Sequence, residues 1–265
     1  MHTLRLSRPL RRLVPMGLVA GALVATACID TTSTLPPSAA IKFINTSPLA
    51  GDSLVNLYIN GTIANATAQP FFSGSVLYTG AVSSAVPFTV KSAFDTTITL
   101  ATGSFPLAVD SSYNILFAAN LSGSTVGGGV FDNNHTLIYL PDTVQQSTTN
   151  ARFQFVNVAG RYGDSNPLRE VNLYLVPMGD TATPPSSQLN VTPVAHFDIM
   201  PFTNVAGVND TALRRIVVRR TSDNSVVTFT DSIPLANGYV TTLILGDAPG
   251  VSTPKVYHLD IFRPF

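Results

Sequence analysis

The sequence predicts an all-β protein: two tandem immunoglobulin-like β-sandwiches behind a lipoprotein signal peptide. Three observations lead there. From residue 41 onward, apolar and β-branched runs of four to eight residues recur between clusters of Gly, Pro, Asn and Asp, the pattern of strands punctuated by turns. No stripe of 3.6-residue period with helix caps interrupts them. The two halves of the chain also repeat one another, motif by motif and in the same order.

The chain opens differently. Arg5, Arg8, Arg11 and Arg12 give the first twelve residues a charge of +4, and 13–27 carry none. With 15 basic and 15 acidic side chains in all, everything from Cys28 onward therefore sums to −4. A basic start followed by an apolar stretch at 13–24, shorter than the ~20 residues that span a bilayer, reads as a signal peptide. It ends in Ala25-Thr26-Ala27-Cys28, which resembles the bacterial lipobox, with Ala at position 25 where Leu is usual. That likeness implies cleavage before Cys28 and acylation of its sulfur. The ordinary alternative is an A-x-A signal cleaved after Ala27, leaving a free thiol. Arg11-Arg12 as a twin-arginine signal lacks the residues usual around it. Cys28 is the only cysteine, so an intramolecular disulfide and a cysteine-built zinc site are both excluded.

Two or three acyl chains on one residue, at ~0.8 kcal/mol per buried methylene, anchor a protein stably without a spanning helix. The partner this implies is the membrane, held through acyl chains on Cys28. Ile29 follows the cysteine, where an Asp would retain a lipoprotein at the inner membrane. The expected location is thus the cell envelope, at the outer membrane, on its periplasmic or surface face. Residues 30–40, with Thr31-Thr32-Ser33-Thr34 and Pro36-Pro37, read as a short extended tether.

Beyond the tether the strands follow in order. They are expected near 41–46, 54–59, 86–92, 96–101, 113–119 and 136–140, then near 151–158, 170–176, 194–199, 213–220, 225–230, 239–245 and 255–262. Long loops are expected at 121–129, with Gly127-Gly128-Gly129, and at 179–188, with Pro184-Pro185. The repeat pairs Lys42-Phe43-Ile44-Asn45 with Gln154-Phe155-Val156-Asn157, and Gly51-Asp52-Ser53 with Gly163-Asp164-Ser165. Val55-Asn56-Leu57-Tyr58 pairs with Val171-Asn172-Leu173-Tyr174, and Ser104-Phe105-Pro106-Leu107 with Ser232-Ile233-Pro234-Leu235. The offset grows from 112 at Asn45/Asn157 to 116 at Asn56/Asn172 and 128 at Pro106/Pro234, so the second copy has longer loops. A period above 100 residues means duplicated domains rather than a solenoid. The boundary is placed in the polar run 145–150. This gives a signal peptide at 1–27, a lipidated tether at 28–40, a first repeat at 41–146 and a second at 147–265.

Each copy has the size and strand count of an immunoglobulin-like sandwich. Tyr113, followed by Ile115-Leu116-Phe117, resembles a tyrosine corner, with Tyr239 as its counterpart or, more simply, both are strand-forming aromatics. The opening Phe43-Ile44-Asn45-Thr46-Ser47-Pro48, the strand Val55-Asn56-Leu57-Tyr58-Ile59-Asn60-Gly61 and their second copies resemble the bacterial envelope family called domain of unknown function 4397. Asn56 and Asn60 stand where that family commonly has Asp, and Val176-Pro177 replaces the turn in the second copy. The resemblance covers about 41–262. It implies a β-sandwich envelope module and carries over no catalytic residue.

Composition narrows the chemistry. Only 11% of residues are charged, against ~25% in a typical chain, and the balance is neutral, which excludes a basic nucleic-acid reader. Apolar residues make up 45%, ample for a core. Gly51-Asp52-Ser53-Leu54 spells the G-D-S-L of an ester hydrolase family, Gly207-Val208-Asn209-Asp210 its oxyanion block and Asp132-Asn133-Asn134-His135 its D-x-x-H. In that family D-x-x-H comes last, whereas here it precedes the Asn block, and the Ser sits on an α/β sheet. Turn chemistry explains the same letters. Asp132 to His135 offers oxygen ligands without a spaced calcium loop, and His196 with Asp198, alternating onto one strand face, makes two ligands rather than a site.

Arg214, Arg215, Arg219 and Arg220 form the one charge cluster and could meet an anionic partner, although strand alternation puts Arg215 and Arg219 on one face and Arg214 and Arg220 on the other. Their plainer role is to guard the flanks of a core strand. The N-x-S/T triplets, the first at Asn45, have no expected use as glycan acceptors in a bacterial lipoprotein. The sequence thus points to a lipid-anchored, non-enzymatic envelope protein, a binding or structural module with an envelope protein or glycan as partner. No cofactor or metal is expected. The alternatives are a G-D-S-L-like ester hydrolase and a glycan-binding surface adhesin, the latter resting on Tyr58, Tyr78, Tyr139, Tyr162 or Tyr174.

Overall fold

Strands form wherever a run of side chains needs a buried face. A computed structural model describes residues 38–49, 52–73, 76–79, 83–119, 135–142, 149–159, 170–183, 185–190, 192–206, 214–230, 233, 236–247 and 253–262. The signal peptide, Cys28 and the tether through residue 37 lie outside them, as does the loop at 121–129.

The first sandwich is built from β1 (Ser38–Asn45), β2 (Leu54–Ile59), β3 (Thr62–Ile63), β4 (Gln69–Pro70), β5 (Val76–Thr79), β6 (Val86–Ser92), β7 (Thr99–Phe105), β8 (Ser112–Ala119) and β9 (His135–Pro141). One sheet has the order β5-β1-β8-β9; the other has β3-β2-β6-β7, with β4 beside β2. The second sandwich uses β10 (Asn150–Asn157), β11 (Glu170–Pro177), β12 (Val194–Ala195), β13 (Ile199–Ala206), β14 (Arg214–Arg220), β15 (Val226–Phe229), β16 (Val240–Gly246) and β17 (Lys255–Phe262). Its sheets run β13-β10-β16-β17 and β12-β11-β14-β15, the same order again. The fold is all-β, and among the described residues the strand pairs are antiparallel except β1 with β8 and β10 with β16; the isolated bridge between Asn45 and Phe71 is also parallel. The register fixes the equivalence of the copies: Asn45 lies opposite Phe117, and Asn157 opposite Leu245.

Several elements differ from the sequence expectation. The first strand starts at Ser38, inside the stretch read as tether, because Ser38 and Ala39 already pair with Thr79 and Tyr78 of β5. The strand expected from 96 begins at Thr99, since Asp95 takes the Thr97 amide at 2.9 Å and its hydroxyl at 2.6 Å and so holds a turn. The strand expected over 194–199 is two, β12 and β13, parted by Phe197 in the left-handed region at φ 65°. Within 179–188 the described residues carry one 3-10 turn, Pro185–Ser187.

Alternation in β2 buries Val55, Leu57 and Ile59 between the sheets of the first sandwich, against Phe43, Phe88 and Phe117. The second core joins Phe153 and Phe155 to Leu173, Ile216, Val218 and Leu243. Each such side chain contributes roughly 1.5–3 kcal/mol on burial. The strands β8 and β16 break alternation, with seven consecutive buried residues each. Both their faces are covered: a third apolar cluster joins Ile44, Leu116 and Leu140 of the first sandwich to Val156, Ile244 and Leu259 of the second. Residues Leu35–Phe265 accordingly form one compact unit.

Candidate functional site

The strongest polar constellation lies where β1 ends. The Asn45 side chain, fully buried, donates to the Asp52 carbonyl at 2.7 Å and accepts the Ser47 amide at 3.1 Å, so the loop between β1 and β2 is held in a fixed bend. That bend aims Asp52 inward. Its carboxylate accepts the Ser47 hydroxyl and sits 2.7 Å from His135 Nε2, with the two side chains only 4% and 3% exposed. The His135 ring stacks on Phe117, with centroids 5.0 Å apart and 13° between planes. Its Nδ1 is buried without a hydrogen-bond partner.

The hydrolase reading needs a serine hydroxyl on a histidine nitrogen. Here Ser47 and His135 share one carboxylate instead, and Ser53, the serine of the G-D-S-L run, is exposed. Residues 132–134, 163–165 and 207–210 lie outside the described ones. In the second sandwich Ala159 takes the place of Ser47, its amide bonded to the Asn157 side chain at 3.2 Å.

The four arginines of β14 divide. Ile216 and Val218 face the core, which places Arg214 and Arg220 on that side at the strand's ends and turns Arg215 and Arg219 outward with Val217. The Arg215 guanidinium lies 4.3 Å from the Phe229 ring centroid, and Arg219 donates to the Asn224 carbonyl at 2.6 Å and the Thr181 carbonyl at 2.9 Å. Under them Tyr174, Val176 and Val217 form a buried cluster on the sheet's outer face. The long arginine stems act as its cover.

The tyrosines also divide. Tyr58 and Tyr174 stand at equivalent outward places on β2 and β11, Tyr58 with the Lys91 ammonium 5.0 Å from its centroid. Tyr139 stacks on Phe105 and Tyr113 and donates to the Pro106 carbonyl at 2.7 Å; burial, then the charge of neighbouring Tyr113, raises its pKa. Tyr162 and the side chain of Tyr78 are outside the described residues. Tyr113 does close a corner, its hydroxyl accepting the Ala108 amide at 2.8 Å. By register its equivalent is Thr241; Tyr239, two places earlier, packs edge-on against Phe153.

His196 and Asp198 do not alternate on a strand, because they flank the left-handed Phe197 in the turn between β12 and β13. The His196 ring stacks on Phe197 at 3.8 Å, and burial lowers its pKa to about 4 against a weaker opposite pull from Val158. Asp198 accepts the Ile199 amide at 2.8 Å. Among the described residues no group of three or more His, Cys, Asp or Glu could hold a metal. A cleft of about 260 Å³ opens between β12 and β13, with Leu189, Val194 and Met200 in its wall.

Two residues escaped the sequence reading. Asn65 and Asn190, both 5% exposed, accept the Leu57 and Leu173 amides at 2.6 and 2.8 Å and donate to the Thr67 and Thr192 carbonyls at 2.8 Å each. The signal was present as two N-x-T triplets, Asn65-Ala66-Thr67 and Asn190-Val191-Thr192. They are repeat markers.

These sheets define a tandem β-sandwich protein. No family model matches the chain, and no curated protein does. Among solved structures, a "putative cell adhesion protein" from Bacteroides ovatus ATCC 8483 aligns at 9% identity over 84% of this chain and 95% of its own, with a TM-score of 0.29. One of the same description from Bacteroides uniformis ATCC 8492 aligns at 8% over 84% and 98%, with a TM-score of 0.26. Likenesses of this depth carry no argument about what this chain does.

Proposed function

We propose that the protein is a lipid-anchored, non-enzymatic module of the bacterial envelope, held at the outer membrane by acyl chains on Cys28 and acting through binding or structure. The observation that supports a non-catalytic role is the use made of the reactive side chains. Ser47, Asp52 and His135 close a buried polar knot, and Arg215 and Arg219 are engaged with Phe229 and backbone carbonyls. A serine hydroxyl and a histidine nitrogen that both turn onto one buried carboxylate are not turned onto each other, which leaves the hydroxyl without a base. The resemblance to domain of unknown function 4397 favours the same reading, with an envelope protein or glycan as partner.

The anchor is tested directly. Cys28→Ala is expected to abolish incorporation of an alkyne-tagged fatty acid and to move the protein from the membrane pellet to the soluble fraction. Unchanged labelling and pelleting would sink the proposal. An ester-hydrolysis assay comparing Ser53→Ala with the parent is expected to show no difference and no turnover.

A further inference from the structure

The outward side of β1, β8 and β9 gathers an amine, a carboxamide and a carboxylic acid. Ile41 and Phe43, like Tyr113 and Ile115, point into the core of the first sandwich, so Lys42 and Asn114 between them share the opposite side. The two are direct partners in the parallel ladder, on strands ~4.8 Å apart. Asn114 is buried and Lys42 is exposed. Leu140 faces Asn114, and Asp142, two places on, falls on the same side, its amide donating to the Ser112 carbonyl at 2.8 Å. The Asp142 Oδ1 is buried without a hydrogen-bond partner. Burial raises this carboxyl above its ordinary pKa and the Lys42 ammonium draws it back, so the amine and the acid lie within electrostatic reach. Side chains at these two ladder places do meet. In the second repeat they are Gln154 and Thr242, and the Thr242 hydroxyl donates to Gln154 Oε1 at 3.1 Å. That pair holds no amine.

We propose that Lys42 and Asn114 of the first repeat join in an intramolecular isopeptide bond. Asp142 takes one proton from the Lys42 ammonium, and the freed Nζ attacks the carboxamide carbon of Asn114. The Nζ–Cγ bond forms and the Cγ–Nδ2 bond breaks. Nζ gives a second proton to the departing nitrogen, and the proton held by Asp142 leaves with it. Ammonium is released, the carboxylate is restored, and neither oxidant nor reductant is consumed. Ile44, Leu116 and Leu140, buried on the same side, keep water from competing at the carbon. The product ties the first strand to its parallel neighbour and closes 42–114 into a covalent loop.

The test is the intact mass of the full chain without its signal peptide and with Cys28→Ala, purified folded and then denatured. Expected is a mass about 17 Da below that of the sequence, the loss of one ammonia. Chymotryptic digestion should then yield one branched peptide joining Lys42 to Asn114. Lys42→Arg keeps the charge, removes the nucleophile and should restore the full mass; its exposed position keeps the test open if Asn114→Ala, expected to do the same, fails to fold. Asp142→Asn should slow the joining by a factor on the order of a hundred. A folded parent that keeps its full mass overturns the proposal. So does a loss of ammonia that survives in Lys42→Arg, because it then comes from a succinimide or another group. A folded Asp142→Asn variant that joins as fast as the parent overturns the part given to the acid.

Discussion

Asn45 and Asn157 look, in the sequence, like markers of a repeat; in the fold each is a bracket. The Asn45 nitrogen reaches the Asp52 and Gln69 carbonyls at 2.7 and 3.4 Å while its oxygen takes the Ser47 amide. Asn157 does the same toward Val194 and Ala159 at 3.3 and 3.2 Å. Removing one such carboxamide strands several buried backbone groups, each costing ~1–3 kcal/mol. Asn45→Ala is therefore expected to lower stability by about 3 kcal/mol in urea, with the slope of the transition unchanged. The motif was legible because it recurs at a fixed place. Its role was not, because the Gln69 and Val194 carbonyls that the two nitrogens also reach stand 24 and 37 residues away. Separation along the chain likewise hides the bond between Asp52 and His135, 83 residues apart.

Among the elements, those with a strong period were the readable ones. The alternating β2 and β11 and the continuous runs of β8 and β16 declare themselves. The strands that escaped, β3, β4, β5 and β13, each have one strand neighbour, and β13 carries Pro201, a residue that edge strands tolerate and central ones do not. In β14 the alternation gave the division of the arginines, but not the loop at Thr181 that Arg219 holds. A guanidinium fork reaches two carbonyls where one ammonium does not. Arg219→Lys is thus expected to cost about 1 kcal/mol and to speed proteolysis at 178–183, while Arg219→Ala costs more by uncovering Val217. Equal stability of the lysine variant and the parent would show that the fork is idle.

On the scale of the whole molecule, the sequence showed two repeats and nothing of how they share a face, since an apolar residue buried at a seam looks like one buried in a core. The seam also carries a proton-sensitive point. His196 stands where the first repeat has Phe71, as the adjoining Phe197 and Phe72 show by their matching bonds to Asn157 and Asn45. Its folded pKa of about 4 lies below the ordinary value of 6.5. Between those values the unfolded chain binds a proton that the folded chain refuses, so its stabilising effect is complete above pH 6.5 and drains away as pH falls toward 4. Allowing for partial exposure the loss is about 2 kcal/mol. His196→Phe is expected to flatten the stability profile between pH 6.5 and 4, read by urea unfolding across that range; an unchanged profile would remove His196 from the account. The parallel pairing of the first strand has a mechanical meaning as well. A pull at Ser38 runs along β1, and the chain leaves β8 at its opposite end, Ala119, so the six residue pairs between them resist together in shear rather than parting one by one. A domain loaded that way withstands tension applied at its first strand better than one peeled open from an edge.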